Sequence, residues 1–345
     1  MSRTIRIKDV AEHAGVSVTT VSHVLNDVPG KRINAETRAR VKASAAALGY
    51  VPNRVARSLR TRRSQVLALI SDEIATTPFA GLMILGAQEA ASKRGWLLML
   101  VNTGLDPAYE AREIQALLQR QVDGFLYATM YHREVELPDE LAGLPVILLD
   151  AVSRDPSIPS VVPDEVGGGR TAVEVLLASG HRRIAFLNNR DDIPASRGRL
   201  EGYRAALEAA GVGYHQSLVT YDASDSAGGY RAAAAVLDGT ARPTALFCFN
   251  DRMALGAYQA AAERGLRIPH DLSVVGFDNQ EIIADGLRPG LTTVALPHYE
   301  MGAWAVDTLI GSIDDNPQND DRAQVVLPCP LVTRASVTAP GQTPG

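Results

Sequence analysis

The 345-residue sequence predicts two unlike parts: an all-α helix-turn-helix headpiece, then an α/β core of two parallel-sheet lobes. Three observations lead there. Between Ile7 and Asn26, apolar residues recur at helical spacing on both sides of a glycine. From Val66 onward, short apolar runs alternate with amphipathic helical stretches, and the alternation fills two successive halves. Charge divides along the same line. Residues 1–64 hold 13 Lys+Arg against 4 Asp+Glu, a balance of +9, whereas the rest holds 21 against 35, a balance of −14. A basic head on an acidic body points to a polyanion as the partner of the head.

The elements follow in order. Ile7, Val10 and Ala11 fall on one face of a first helix, and Gly15 supplies a permissive backbone for a sharp turn. Ser17 is a suitable N-cap for a second helix from about Val18, with Val21, Val24 and Leu25 as its buried stripe. Val18, Thr19, Ser22 and His23 are left on the outer face, which such a unit offers to the DNA major groove. Asp27 to Asn34 is a polar turn region, and Glu36 to Leu48 an alanine-rich third helix ended by Gly49. Val55 to Arg60 has room for one and a half helical turns, too few to be stable alone in water. In the core, strands are expected at 66–70, 97–101, 144–149, 184–187, 218–221, 245–249 and 272–276, with helices at 81–94, 106–121, 167–179, 197–210, 227–237 and 251–264. The end of the chain, TAPGQTPG, has no apolar period and is expected to be disordered over residues 339–345.

Composition excludes several classes. At 46% hydrophobic and 21% charged residues, the chain is that of a soluble globular protein. No apolar run follows Arg3 and Arg6 as a secretory signal would, and no span is long enough for a bilayer. Cys248 and Cys329 lie far apart in apolar, strand-like surroundings and read as core thiols. A cytoplasmic, nucleoid-associated protein is expected. The nucleophile-elbow, zinc-protease, phosphate-loop and dinucleotide fingerprints are all missing, so neither an enzyme nor a cofactor is expected. Gly167 to Gly169 opens a helix and reads as close helix packing, with an anion cradle as the other reading.

The stretch IKDVAEHAGVSVTTVSHVLN, together with ETRARVKASAAALGYVPNRVARSLRTRRS from Glu36 to Ser64, resembles the LacI/GalR family of bacterial transcription regulators. The match is specific over the first sixty or so residues, through LGY-x-PN and VARSLR, and looser to about Val337. The resemblance implies a headpiece at 1–50, a hinge helix and linker at 51–65, and a periplasmic-binding-protein-like core at 66–338. It places one lobe at 66–161 plus 292–321 and the other at 162–290 plus 322–338, with three crossings between them. It further implies a dimer that represses transcription from a pseudo-palindromic DNA operator. Val18, Thr19 and His23 would reach base edges, in a run TTVSH similar to that of the purine repressor, while Ser17, Thr20, Ser22 and Asn26 suit phosphates. Leu59 would wedge into the minor groove, flanked by Arg57 and Arg60.

A cleft between two such lobes takes a ligand beyond the carboxyl ends of the strands. Asp72, Phe79, Asp150, Asn250 and Asp278 stand at those ends. The resemblance assigns effector contacts to Arg199, which precedes L-x-G-Y, and to Asn250 and Asp278; Asp164 matches a position of structural role. In one respect the chain departs from the family. Where sugar- and purine-binding members often carry an aromatic, this chain has Ser224, with Tyr221 the nearest aromatic upstream. A sugar is the effector class that acid, amide and arginine suit, with a nucleobase, an acidic metabolite or a protein partner as alternatives. A transport-type binding protein is a further rival, against which the basic headpiece argues. The ligand would change the angle between the lobes and so form or melt the hinge helices.

Overall fold

Helical periodicity organises the first unit, Met1–Ser64. The computed structural model describes residues 5–25, 30–50, 63–74, 81–104, 106–239, 242–314 and 324–341. Helices α1 (Ile7–Ala14) and α2 (Val18–Leu25) are joined through Gly15, whose φ is +63°. A β-carbon in that left-handed conformation costs roughly 1–2 kcal/mol, which is why a glycine stands at the turn. Val10, Ala11 and Ala14 of α1 meet Val21 and Val24 of α2 and Val41 and Ala45 of α3 (Ala35–Ala47) in one buried cluster. Ser17 caps α2, its Oγ accepting from the Thr20 N–H at 3.1 Å, and Asn34 caps α3 by accepting from the Thr37 N–H at 2.7 Å. Two tertiary bonds tie α3 to α1. His13 Nδ1 lies 3.0 Å from Ser44 Oγ, and Arg40 Nε donates to the Ala14 carbonyl at 3.0 Å. The hinge segment with Arg57, Leu59 and Arg60 lies outside the described residues, as do Asn26 and Phe79.

The second unit, Gln65–Gly345, begins with β1 (Val66–Ser71), α4 (Gly81–Lys93), β2 (Leu97–Asn102), α5 (Pro107–Gln119), β3 (Gly124–Glu134), β4 (Val146–Val152) and β5 (Ser160–Pro163). Next come α6 (Glu165–Ala178), β6 (Ile184–Asn189), α7 (Pro194–Ala209), β7 (Val219–Asp222), α8 (Ser226–Leu237), β8 (Ala245–Cys248), α9 (Asp251–Glu263), β9 (Ser273–Asp278) and α10 (Glu281–Ala284). The chain closes with β10 (Thr292–Ala295), α11 (His298–Ile313), β11 (Gln324–Leu327) and β12 (Leu331–Val332). One sheet has the order β11-β5-β4-β3-β1-β2 and the other β12-β10-β9-β8-β6-β7. All neighbours are parallel except β12, which runs antiparallel to β10. Strands such as β4 and β6 are buried nearly end to end, as sheets covered on both faces require. Among the described residues no helix is long and apolar enough to cross a membrane.

Sheet pairing moves two of the expected lobe boundaries. β10, expected in the first lobe from residue 292, pairs with β9 in the second sheet, so the chain crosses only after Ala295. β11, expected in the second lobe from 322, pairs with β5 in the first sheet. Four-residue strands carry too little pattern to indicate which edge they join, because every open edge offers the same N–H and C=O row. Of the tail expected to be disordered, residues 342–345 lie outside the described residues. Residues 339–341 are described with the core, and just before them Thr338 donates to Ser273 Oγ at 3.1 Å and accepts from His181 Nε2 at 2.9 Å. Both cysteines are free and buried, as expected of core thiols.

Gly167 to Gly169 serves packing. Gly167 donates its N–H to the capping carboxylate of Asp164 at 2.8 Å. A β-carbon on Gly169 would stand 2.6 Å from the Arg199 carbonyl, and one on Gly202 would stand 2.1 Å from the Val166 carbonyl. Helices α6 and α7 therefore cross backbone to backbone, which brings Glu165 beside Arg199. Gly202→Ala should cost about 1–3 kcal/mol through overpacking against main chain that has no rotamer to yield. Thermal denaturation should show a lower Tm for the core; an unchanged Tm would mean the crossing is loose.

Candidate ligand cleft and DNA-reading helix

The ends of β3, β4, β8 and β9 converge on one polar cavity between the two sheets. Asp150, Arg199, Asn250 and Asp278, four of the residues expected there, line it together. Arg199 is the best held. It is 3% exposed, its Nε donates to Glu165 Oε2 at 2.7 Å, and its Nη1 donates to the Phe249 carbonyl and to Asp278 Oδ1 at 3.4 Å. Its guanidinium lies 3.6 Å from the Phe277 ring centroid and 4.4 Å from that of Phe249. Burial opposes the charge, yet Glu165 and Asp278 beside it raise the Arg199 pKa above its ordinary value. Arg199 thus stays cationic, with its donors committed largely to the protein.

Asn250 does two local jobs. Its Oδ1 caps α9, accepting from the Met253 N–H at 2.9 Å, and its Nδ2 donates to the Ser224 carbonyl at 3.0 Å. The neighbouring Asp251 is fully buried and structural, accepting from the Gln280 N–H and the Thr293 hydroxyl, both at 2.6 Å. Asp278 has a φ of +95°, and burial raises its pKa with Arg199 opposing. Asp150 also sits at positive φ, +55°. Its Oδ1 is buried without a hydrogen-bond partner, and burial, reinforced by Glu165, pushes its pKa well above the carboxylate range. Backbone outliers and an orphaned carboxyl oxygen in one cavity mark a functional site.

Asp72 is off the cavity wall and braces it. Its Oδ1 accepts from the Met130 N–H at 3.0 Å, and its Oδ2 pairs with Arg133 at 2.9 Å. Neither Ser224 nor Tyr221 contributes a side chain to the lining; Tyr131, from the opposite lobe, supplies an aromatic instead. Sequence reasoning missed Tyr131, His132, Glu165 and Arg252. Glu165 had a faint signal, as it follows the cap Asp164 on the turn that the glycines press against α7. For His132 there was none. The inner cavity measures about 40 Å³ and adjoins a second of about 600 Å³ that shares Arg252, Asp278, Leu296 and His298. Pockets that hold drug-sized ligands measure roughly 300–1,000 Å³, so a ligand of that size needs the inner walls to part. Among the described residues no cluster of His, Cys, Asp or Glu is arranged to hold a metal ion.

In the headpiece, Ser17, Val18 and Thr19 are exposed at the start of α2, and Thr20, Ser22 and His23 are half-buried along it. Val18 is the only apolar side chain of α2 among the large exposed hydrophobics, at 39%. An uncovered valine at a helix start suits contact with a thymine methyl. Ser17 Oγ also lies 2.9 Å from Thr20 Oγ1, so these two hydroxyls act as a coupled pair.

Residues 6–53 match the family described as bacterial regulatory proteins, lacI family, and residues 63–335 match periplasmic binding proteins and sugar binding domain of LacI family. The chain is 37% identical over 339 residues to the HTH-type transcriptional regulator DegA of Bacillus subtilis (strain 168), covering 96% of this chain and 98% of that one. It is 33% identical over 321 residues to the ribose operon repressor of Escherichia coli (strain K12), covering 92% and 96%. The lac repressor dimer bound to operator and the anti-inducer ONPF superposes with a TM-score of 0.74 at 28% identity, covering 98% of this chain and 100% of that one.

The orphaned Asp150 carboxyl makes stability depend on pH. Its folded pKa lies above the unfolded value of 3.8, so the folded state holds the proton more tightly and loses stability as pH rises from that value toward the folded pKa. Asp150→Asn removes the penalty. The variant should gain Tm over the parent, by more at pH 8 than at pH 5; a gain that is absent, or equal at both pH values, would show that Asp150 is not held unpaired.

Proposed function

The chain belongs to the LacI family of bacterial regulatory proteins, and from that premise we propose that it is a ligand-responsive transcriptional repressor acting in the cytoplasm, at the nucleoid. It is not an enzyme. The observation that carries the proposal is that one chain holds both parts of a switch: a helix-turn-helix with an uncovered recognition helix, and a two-lobed core closing on a polar, strained cavity. The operator is read as a dimer. Val18, Thr19 and His23 meet base edges, while Ser17, Thr20, Ser22 and Asn26 meet phosphates, and Leu59 with Arg57 and Arg60 works in the minor groove.

The effector is a sugar. Hydroxyl groups match a cavity where Arg199 is already paired with Glu165 and Asp278, and where Asp150 and Asn250 offer further polar atoms. Asp72 holds its wall in shape; Phe79 is proposed as a further effector contact. Coupling to DNA runs through Gln65, the residue between the linker and β1. Its N–H donates to Asp123 Oδ2 at 2.6 Å and its carbonyl accepts from the Leu97 N–H at 2.9 Å, so it is fixed to the first sheet. Ligand that changes the angle between the lobes moves this anchor and shifts the hinge between formed and melted states. The shift is limited by the ligand's differential affinity for the two states.

Fluorescence anisotropy of the full chain on a pseudo-palindromic duplex tests this. Affinity should fall steeply with salt, and ribose, cellobiose or another sugar should change it. Equal affinity for random duplex, or indifference to salt, would refute the reading. Leu59→Ala should weaken operator binding while calorimetry on the same protein shows sugar binding intact; unchanged operator affinity would remove Leu59 from the reader.

A further inference from the structure

β3 and β4 pair in register as far as Ala128 with Leu149 and resume at Arg133 with Ala151, so five steps on one strand face two on the other. Consecutive residues of a regular strand point to opposite faces. Here Met130, Tyr131 and His132, three in a row, all line the inner cavity. The interrupted ladder accounts for that, and bulges of this kind re-aim side chains beside sites.

The interruption is built rather than frayed. Thr129 Oγ1 lies 2.7 Å from both the Tyr131 and the Asp150 carbonyls. Asp72, from the end of β1, accepts from the Met130 N–H and pairs with Arg133 across the bulge. Asp150 is the β4 residue opposite the bulge, which accounts for its left-handed backbone. Two polar side-chain atoms in this half of the cavity are buried without a partner: His132 Nδ1 and Asp150 Oδ1. Asp150 is only 5% exposed. Such atoms are costly to leave unpaired, and a ligand that bonds them recovers the loss.

We propose that the Thr129–Arg133 bulge is the element that selects the effector, with His132 and Asp150 gripping ligand hydroxyls and Tyr131 covering an apolar ligand face. The inference rests on the effector reading above and adds the residues that discriminate. Burial lowers the His132 pKa against the pull of Glu165, so the ring is neutral and offers one donor and one acceptor, assigned by tautomer. Asp150, Glu165 and Asp278 share the cavity with Arg199 and Arg252, and Arg199 is taken up by Glu165 and Asp278. Ligand hydroxyls, which both donate and accept, match His132 Nδ1 and Asp150 Oδ1. Tyr131 is 41% exposed, which leaves its ring available to the CH face of a sugar.

Calorimetric titration of the full chain with ribose, glucose, cellobiose and sucrose tests the proposal. For the sugar that the parent protein binds best, His132→Phe should weaken binding by about tenfold or more, the loss of a buried hydrogen bond. His132→Asn, which keeps a polar atom near Nδ1, should restore most of it. Tyr131→Ala alters a half-exposed side chain and should weaken the same sugar, so it reads the subsite even if His132→Phe does not fold. Unchanged affinity in both His132→Phe and Tyr131→Ala would overturn the role of the bulge while the effector reading stands. If no sugar binds the parent protein, the effector reading falls, and this inference with it.

Discussion

One buried guanidinium holds the second lobe's half of the cleft together. Arg199 rises from α7, pairs with Glu165 on α6, reaches the Phe249 carbonyl beyond β8 and meets Asp278 at the end of β9, between two phenylalanine rings. Four segments distant in sequence are fixed by one side chain. A charge buried this deeply is tolerable only when its partners are in place, and removing one partner of such a pair typically costs about 3–5 kcal/mol. The glycines at the α6–α7 crossing belong to the same constraint, because without their close approach Glu165 could not reach Arg199.

The first lobe is built on the opposite principle. Its contribution to the cavity comes from a broken ladder, pinned by Asp72 and Thr129, that leaves His132 Nδ1 and Asp150 Oδ1 without partners. A wall built round a paired guanidinium thus faces one with two unpaired polar atoms. Ligand that bonds to both lowers the free energy of one lobe arrangement more than the other, which is what a conformational switch needs. The small inner cavity and the larger one beside it fit a site that changes volume as the lobes move.

Much of this was legible in residue patterns. Ile7, Val10, Gly15, Ser17, Val21 and Val24 gave the helix-turn-helix, because a 3.6-residue period, a left-handed turn and a hydroxyl cap are local properties. The alternation of strands and helices gave the parallel sheets for the same reason. Strand ends pointed to Asp150, Asn250 and Asp278, and the likeness to relatives pointed to Arg199; all four line the cavity. Their individual work was less legible. Asn250 caps a helix, Arg199 is bound into the protein, and Asp72 braces the bulge from behind the wall.

Sequence by itself determined the elements, their order, the basic character of the reader and the side-chain types at the cleft, since each depends on neighbours within a few residues. Tertiary structure alone decided which edge β10 and β11 join, which partner Arg199 takes, and that His132 shares a cavity with Asp150. Those outcomes depend on contacts between segments far apart in the chain, and on a ladder that breaks where hydrogen bonds from β1 and β4 hold it open. No local period carries that information.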